Sequence, residues 1–148
     1  MTSTENLLAL AARCEAGTGP DRALDAAIVV ALTPECIGIE RPPLDGLIDS
    51  PNAEWLLQWS PPRPWSRSWR PVPAYTASLD AAASLVPAGW VWSCYGGDRD
   101  EGCTAYCVPN KGKTPWPAWV DDVVAPTPAR ALTAAALRAI AAEAGNER

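Results

Sequence analysis

Proline sets the tightest limit on what this chain can build. It has 16 prolines, more than half of them between Pro34 and Pro73. Each fixes φ and removes a backbone donor, so a helix cannot run through that region and a neighbouring strand there is confined to a sheet edge. Helical periodicity is correspondingly found on the flanks. Ser3 or Thr4 can cap a first helix, in which Leu7, Leu8, Ala11 and Cys14 follow helical spacing until Gly17 stops it. Pro20 then takes a first helical position, with Asp21 in the first turn, and Leu24, Ala27, Ile28, Ala31 and Leu32 recur at helical intervals up to Thr33-Pro34. Thr76 is a candidate cap for a third helix with Leu79, Ala82, Ala83 and Val86, halted by Pro87 and Gly89. Thr127-Pro128 repeats the cap-plus-proline signal ahead of Leu132, Ala136, Leu137 and Ile140, in a helix that ends near Gly145. Four helices are therefore expected, beginning near residues 4, 20, 76 and 128.

Between the helices the periodicity shortens to two. Trp90, Trp92 and Cys94 alternate with Val91, Ser93 and Tyr95; a polar turn from Gly96 to Gly102 follows, and Cys103 to Val108 returns with Tyr106 and Val108 on one face. This predicts a hairpin of 90–95 with 103–108 at the heart of an antiparallel-dominated sheet. Trp116 to Val124 adds a strand. Residues 34–73, where Trp55, Trp59, Trp65 and Trp69 sit among the prolines, read as an irregular segment with one strand around Glu54 to Trp59. No repeat or flexible linker divides the chain, so 1–148 reads as a single α+β domain.

At three places the residues resemble the phage ABA sandwich domain family. The first is Asn6-Leu7-Leu8-Ala9-Leu10-Ala11 running into Gly19-Pro20-Asp21-Arg22 and Leu24-Asp25-Ala26-Ala27-Ile28. The second is Pro73-Ala74-Tyr75-Thr76-Ala77-Ser78-Leu79-Asp80-Ala81-Ala82 with Val86-Pro87-Ala88-Gly89-Trp90, and the third is Thr127-Pro128-Ala129-Arg130-Ala131-Leu132. Together they cover about half of the chain; residues 35–70 and the 109–117 loop have no counterpart in it. The resemblance implies a three-layer α/β/α-type sandwich and a phage or prophage origin, and it implies no catalytic residues. The motif residues themselves read as structural, with Leu79 and Ala82 facing a core and Pro128 starting a helix.

Charge and residue inventory narrow the function. A net charge of -5 opposes general binding to nucleic acid or an anionic membrane, and no apolar run reaches the length of a membrane span. The N-terminus carries no basic region ahead of an apolar stretch, so the expected location is the cytoplasm of a bacterial host cell, where the five cysteines stay reduced. There is no histidine, which removes the Ser-His-Asp and Cys-His arrangements and every histidine-containing zinc site. Asp98, Asp100 and Glu101 read as a solvated turn. Cys94, Cys103 and Cys107 share a face but lack CxxC spacing and a local fourth ligand, so they read as small buried thiols and no metal or other cofactor is expected. Gly17-Thr18-Gly19-Pro20-Asp21 reads as a turn between helices, because it lacks the lysine of a phosphate-binding loop and Asp21 would repel an anion.

One segment stands against the overall charge. Arg63-Pro64-Trp65-Ser66-Arg67-Ser68-Trp69-Arg70 holds three arginines, no acid, and two tryptophans four residues apart. Arginine grips phosphate through parallel hydrogen bonds and indole stacks on a base, so Arg63, Trp65, Arg67, Trp69 and Arg70 are the candidate ligand-binding residues. The competing assignment is that the tryptophans cover the sheet while the arginines meet water or surplus acids. The expected function is that of a non-enzymatic accessory protein that binds a small anionic ligand, such as a host defence nucleotide. The alternative is a protein–protein interaction module docking on a host or phage protein, and a homo-oligomer is compatible with either. Aromatic residues exposed on one flat patch favour docking; a concave pocket beside arginine favours the ligand.

Overall fold

The computed structural model describes residues 3–33, 36–40, 56–59, 69–96, 102–109 and 120–146, with backbone alone in 36–40, 56–59, 69–71, 109, 120–121 and 146. Four helices form. Helix α1, Thr4–Ala16, begins at Ser3, whose hydroxyl accepts the Asn6 N–H at 3.2 Å, and ends at Gly17, whose N–H reaches the Arg13 carbonyl. Its buried stripe is Leu7, Leu10, Ala11 and Cys14, a spacing of i, i+3, i+4 and i+7 that leaves Leu8 off the stripe and 39% exposed. Leu8 therefore lies outside the core face to which its spacing had assigned it.

Helix α2, Arg22–Leu32, is capped by Asp21, whose Oδ1 accepts the Leu24 N–H at 2.9 Å. Because the Asp21 carboxylate does the capping, Pro20 precedes the cap and does not hold the expected first helical position. Helix α3, Leu79–Ser84, is short and is capped by Ser78. Thr76 is buried and hydrogen-bonds to α2, so its expected capping role passes to Ser78. Leu79, expected in the core, is 39% exposed, since one and a half turns of helix can bury only the stripe of Ala82 and the following Leu85. Helix α4, Pro128–Asn146, starts as its sequence predicts, with the Arg130 N–H donating to Thr127 Oγ1 at 3.3 Å.

The segment expected to be irregular contains a small antiparallel sheet. Strands β1 (Cys36–Glu40), β2 (Leu56–Trp59) and β3 (Trp69–Pro71) pair in the order β1-β2-β3. Only β2 was expected. The other two are short, and the β1–β2 register shifts between Cys36 and Gly38, which breaks the alternation that announces a strand. Pro71 sits on the outer strand opposite Leu56, where its missing N–H interrupts no ladder. Strand β1 runs beside α2.

A second antiparallel sheet is the hairpin with its added strand: β4 (Trp90–Gly96), β5 (Cys103–Pro109) and β6 (Val120–Ala125), in the order β4-β5-β6. Trp92 pairs with Cys107, Cys94 with Ala105, and Ala105 with Val123. Strand period therefore puts Cys94, Cys103, Ala105, Cys107, Val123 and Ala125 on one face, and Ala105, Cys107, Val123 and Ala125 are buried there. Tyr106 and Val108 share the opposite face, as expected. Strand β6 begins at Val120; Trp116 to Trp119, read as part of it, lie outside the described residues.

Helix α4 closes this core. It packs on β4, β5 and β6 and also on α1 and α3. Ala131, Leu132, Thr133, Ala134, Ala135, Ala136 and Leu137 are each fully buried, which covers the whole circumference over two turns. The alanines let the surrounding elements approach closely, while Leu132 and Leu137 each contribute about 1.5–3 kcal/mol of burial. The fold is α+β, with four helices and antiparallel pairing, as the sequence predicts.

Candidate functional site

The most organised cluster of polar side chains lies in the core. Asp25, Thr76, Arg130 and Thr133 are buried, and each is hydrogen-bonded within the chain. Asp25 projects from α2, its Oδ1 accepting the Thr76 N–H at 2.8 Å and its Oδ2 pairing with Arg22 at 3.0 Å. Arg22 also donates to the Val72 carbonyl at 2.7 Å, and Thr76 Oγ1 accepts the Asp21 N–H at 2.8 Å. Burial raises the Asp25 carboxyl above the ordinary aspartate value, against Thr76 and Arg22, which pull it down. The 72–76 turn is thereby tied to the first turn of α2.

Arg130 ties the other side. Its Nε donates to the Gly19 carbonyl at 2.7 Å, and its Nη1 to the carbonyls of Arg13 and Cys14 at 3.3 and 3.2 Å. Arg13 and Cys14 lie in the last turn of α1, where the helix dipole favours a cation. Thr133, one turn further along α4, donates to the Tyr75 carbonyl at 2.9 Å. A surface pair adds little: Arg138 Nε and Nη2 both donate to Glu15 Oε1, the first at 3.0 Å, with both side chains about a third exposed.

The cluster joins Asp21, Arg22, Asp25, Thr76, Arg130 and Thr133, of which all but Thr133 lie within the three sequence stretches that resemble the family. The structural reading of those stretches carries through in this altered form, because their polar residues interlock α1, α2, the 72–76 turn and α4. Sequence reasoning missed Asp25 and Arg130. Their signal was a charged residue inside an otherwise apolar helical stripe, between Leu24 and Ile28 and between Ala129 and Ala131.

The two fully buried thiols are held protonated at neutral pH. Cys14, Cys94, Cys103 and Cys107 are free, and burial pushes Cys14 up to about 12 and Cys107 to about 11. Cys94 is raised too, by burial first and then by Cys103 nearby. Among the described residues no three cysteine, aspartate or glutamate side chains are grouped to hold a metal, and no helix is long and apolar enough to cross a membrane.

Of the candidate ligand residues, Arg63, Trp65 and Arg67 lie outside the described residues. Trp69 and Arg70 open β3, paired through the backbone with Gln58 and Leu57. The surface feature that the described residues do bring together is the outer face of the β4–β6 sheet. There Val91, Tyr95 and Val124 are 47%, 49% and 54% exposed, beside half-buried Tyr106 and Val108. Trp90 is held away from it, its Nε1 donating to Glu143 on α4 at 2.7 Å.

Comparison of the chain with family models, with curated proteins and with solved structures finds no match.

Proposed function

We propose that this chain is a non-catalytic, phage- or prophage-encoded accessory protein of the ABA sandwich kind, which acts in the host cell by docking on a host or phage protein. One observation carries this reading: three aliphatic and aromatic side chains on one sheet face stand about half exposed, while the buried polar side chains are engaged within the chain. Exposed apolar patches are characteristic docking surfaces, and tyrosine is a common anchor in them. Absent histidine and the protonated Cys14 and Cys107 thiols support binding over chemistry. The test is affinity capture from infected cells with wild type and with Val124→Glu, which places a charge on the face at an exposed position. Specific partner recovery lost in the folded variant supports docking; identical recovery from both moves the function away from this face.

A second reading keeps the small anionic ligand at Arg63, Trp65, Arg67, Trp69 and Arg70. It is favoured by a run of three arginines and no acid inside a chain of net charge -5. Guanidinium would hold phosphate and indole would stack on a base at about 1–3 kcal/mol, with affinity falling as salt rises. Calorimetry against cyclic and linear nucleotides, with wild type and with the Arg67→Ala, Trp69→Ala pair, decides it. Binding abolished in the folded double variant supports a site here, and no binding by wild type ends this reading.

A further inference from the structure

The sheet's two outer strands are unequally protected. Strand β6 carries Asp121 and Asp122, is paired with a register irregularity opposite Ala105 to Cys107, and has α1 packed beside it. These are the devices that keep a sheet edge from recruiting further strands. Strand β4 has neither the charge nor the register irregularity, although α4 packs on it as well. Its seven residues, Trp90-Val91-Trp92-Ser93-Cys94-Tyr95-Gly96, include no charge and no proline, its pairing with β5 is regular throughout, and no described strand lies on its other side. Val91, Trp92 and Tyr95 are 47%, 40% and 49% exposed along it.

We propose that β4 pairs with β4 of a second copy of this chain, joining two three-stranded sheets into one of six strands. Two observations point to a second copy as the occupant. Copies that each carry a net charge of -5 repel one another, so a self-contact is least opposed where the surface is uncharged, and β4 is an uncharged stretch of seven. The strand is also self-complementary under the two-fold axis that such pairing requires. Antiparallel pairing over its full length centres on Ser93 and sets Val91 opposite Tyr95 of the partner subunit, twice. Aromatic–β-branched pairs of this kind are among the favourable cross-strand contacts. The inference shares Val91 and Tyr95 with the outer face but does not use Val124, so Val124→Glu on the far strand probes docking separately.

Sedimentation equilibrium of the purified chain over a range of concentrations tests it. The expected species has twice the 15.7 kDa chain mass. Tyr95→Lys and Val91→Lys, both at exposed positions, should each weaken association by about tenfold or more while circular dichroism stays that of wild type, because each substitution acts twice in the dimer. The combined V91K/Y95E variant sets opposite charges across the same register and should restore the dimer. A monomeric wild type, a dimer indifferent to both lysine substitutions, or failure of the combined variant to re-associate would each overturn the proposal.

Discussion

The Arg130 guanidinium fills the space that a side chain on Gly17 would need: a Cβ there would come within 2.8 Å of its central carbon. Glycine at this position thus lets a cation from the start of α4 close over the end of α1. Gly17→Ala should destabilise the protein by about 1–3 kcal/mol through this overlap. Arg130→Met should cost about 3 kcal/mol, because it removes the donor from the buried Cys14 carbonyl and the part-buried Gly19 carbonyl, while Arg13 keeps its bond from the Gly17 N–H. Urea unfolding of the two variants and their combination checks the link. Once Arg130 is gone the alanine has nothing to strike, so the double variant should be less destabilised than the two costs added together.

Asp25 should make the core sensitive to acid in the direction opposite to an ordinary ion pair. Its raised pKa means that the native state holds this proton more tightly than the unfolded chain does. The resulting stabilisation is full below the ordinary aspartate value of 3.8 and is lost as pH rises through the native pKa. The stability advantage of wild type over Asp25→Asn should therefore be largest in acid and shrink towards neutral pH. An advantage that grows with pH would mean that the Arg22 pairing outweighs burial.

The buried thiols predict an alkaline limit. Cys14 is raised from 9.0 to about 12, so the stability it supports is intact below pH 9 and disappears as pH climbs towards 12. Wild type should lose up to about 1.4 kcal/mol per pH unit in this range from Cys14 alone, and Cys14→Ala should flatten the decline. Guanidinium titrations at a series of alkaline pH values measure both slopes.

Accessibility gives a separate expectation for the same residues. In a Cys36→Ser background, a thiol reagent at neutral pH should modify half-buried Cys94 and Cys103 in the native protein, and should reach Cys14 and Cys107 only on unfolding, because both are fully buried. Rapid native labelling at all four positions would contradict the packing of α4 on β5.

Legibility followed sequence distance. Ser3, Thr127 and the 90–108 hairpin were readable because each signal and its partner lie within a few residues, or alternate along a single strand. Thr76 and Ser78 both carried cap chemistry, and what separated them was Asp25, 51 residues from Thr76, which captured the threonine N–H. The Arg130 clamp was illegible for the same reason: its acceptors stand 111 to 117 positions away and are carbonyls, which every residue has. Strands β1 and β3 were hidden by brevity, Gly38 and Pro71. The Arg63–Arg70 segment announced itself by charge alone, and charge fixes no geometry.

Helix α4 is also the last of these elements to be synthesised. The strands and helices that converge on it leave the ribosome first, yet the surface they bury is the surface of a helix that does not yet exist. The Arg130 contacts to α1 and the Thr133 contact to Tyr75 cannot form earlier, and the apolar stripes of α1 and of the β4–β6 sheet stay uncovered while the chain is being made. During translation, the α1–α2 contacts and the β4–β6 pairing can form before Thr127 emerges, but the core they share stays open on the side that α4 will close.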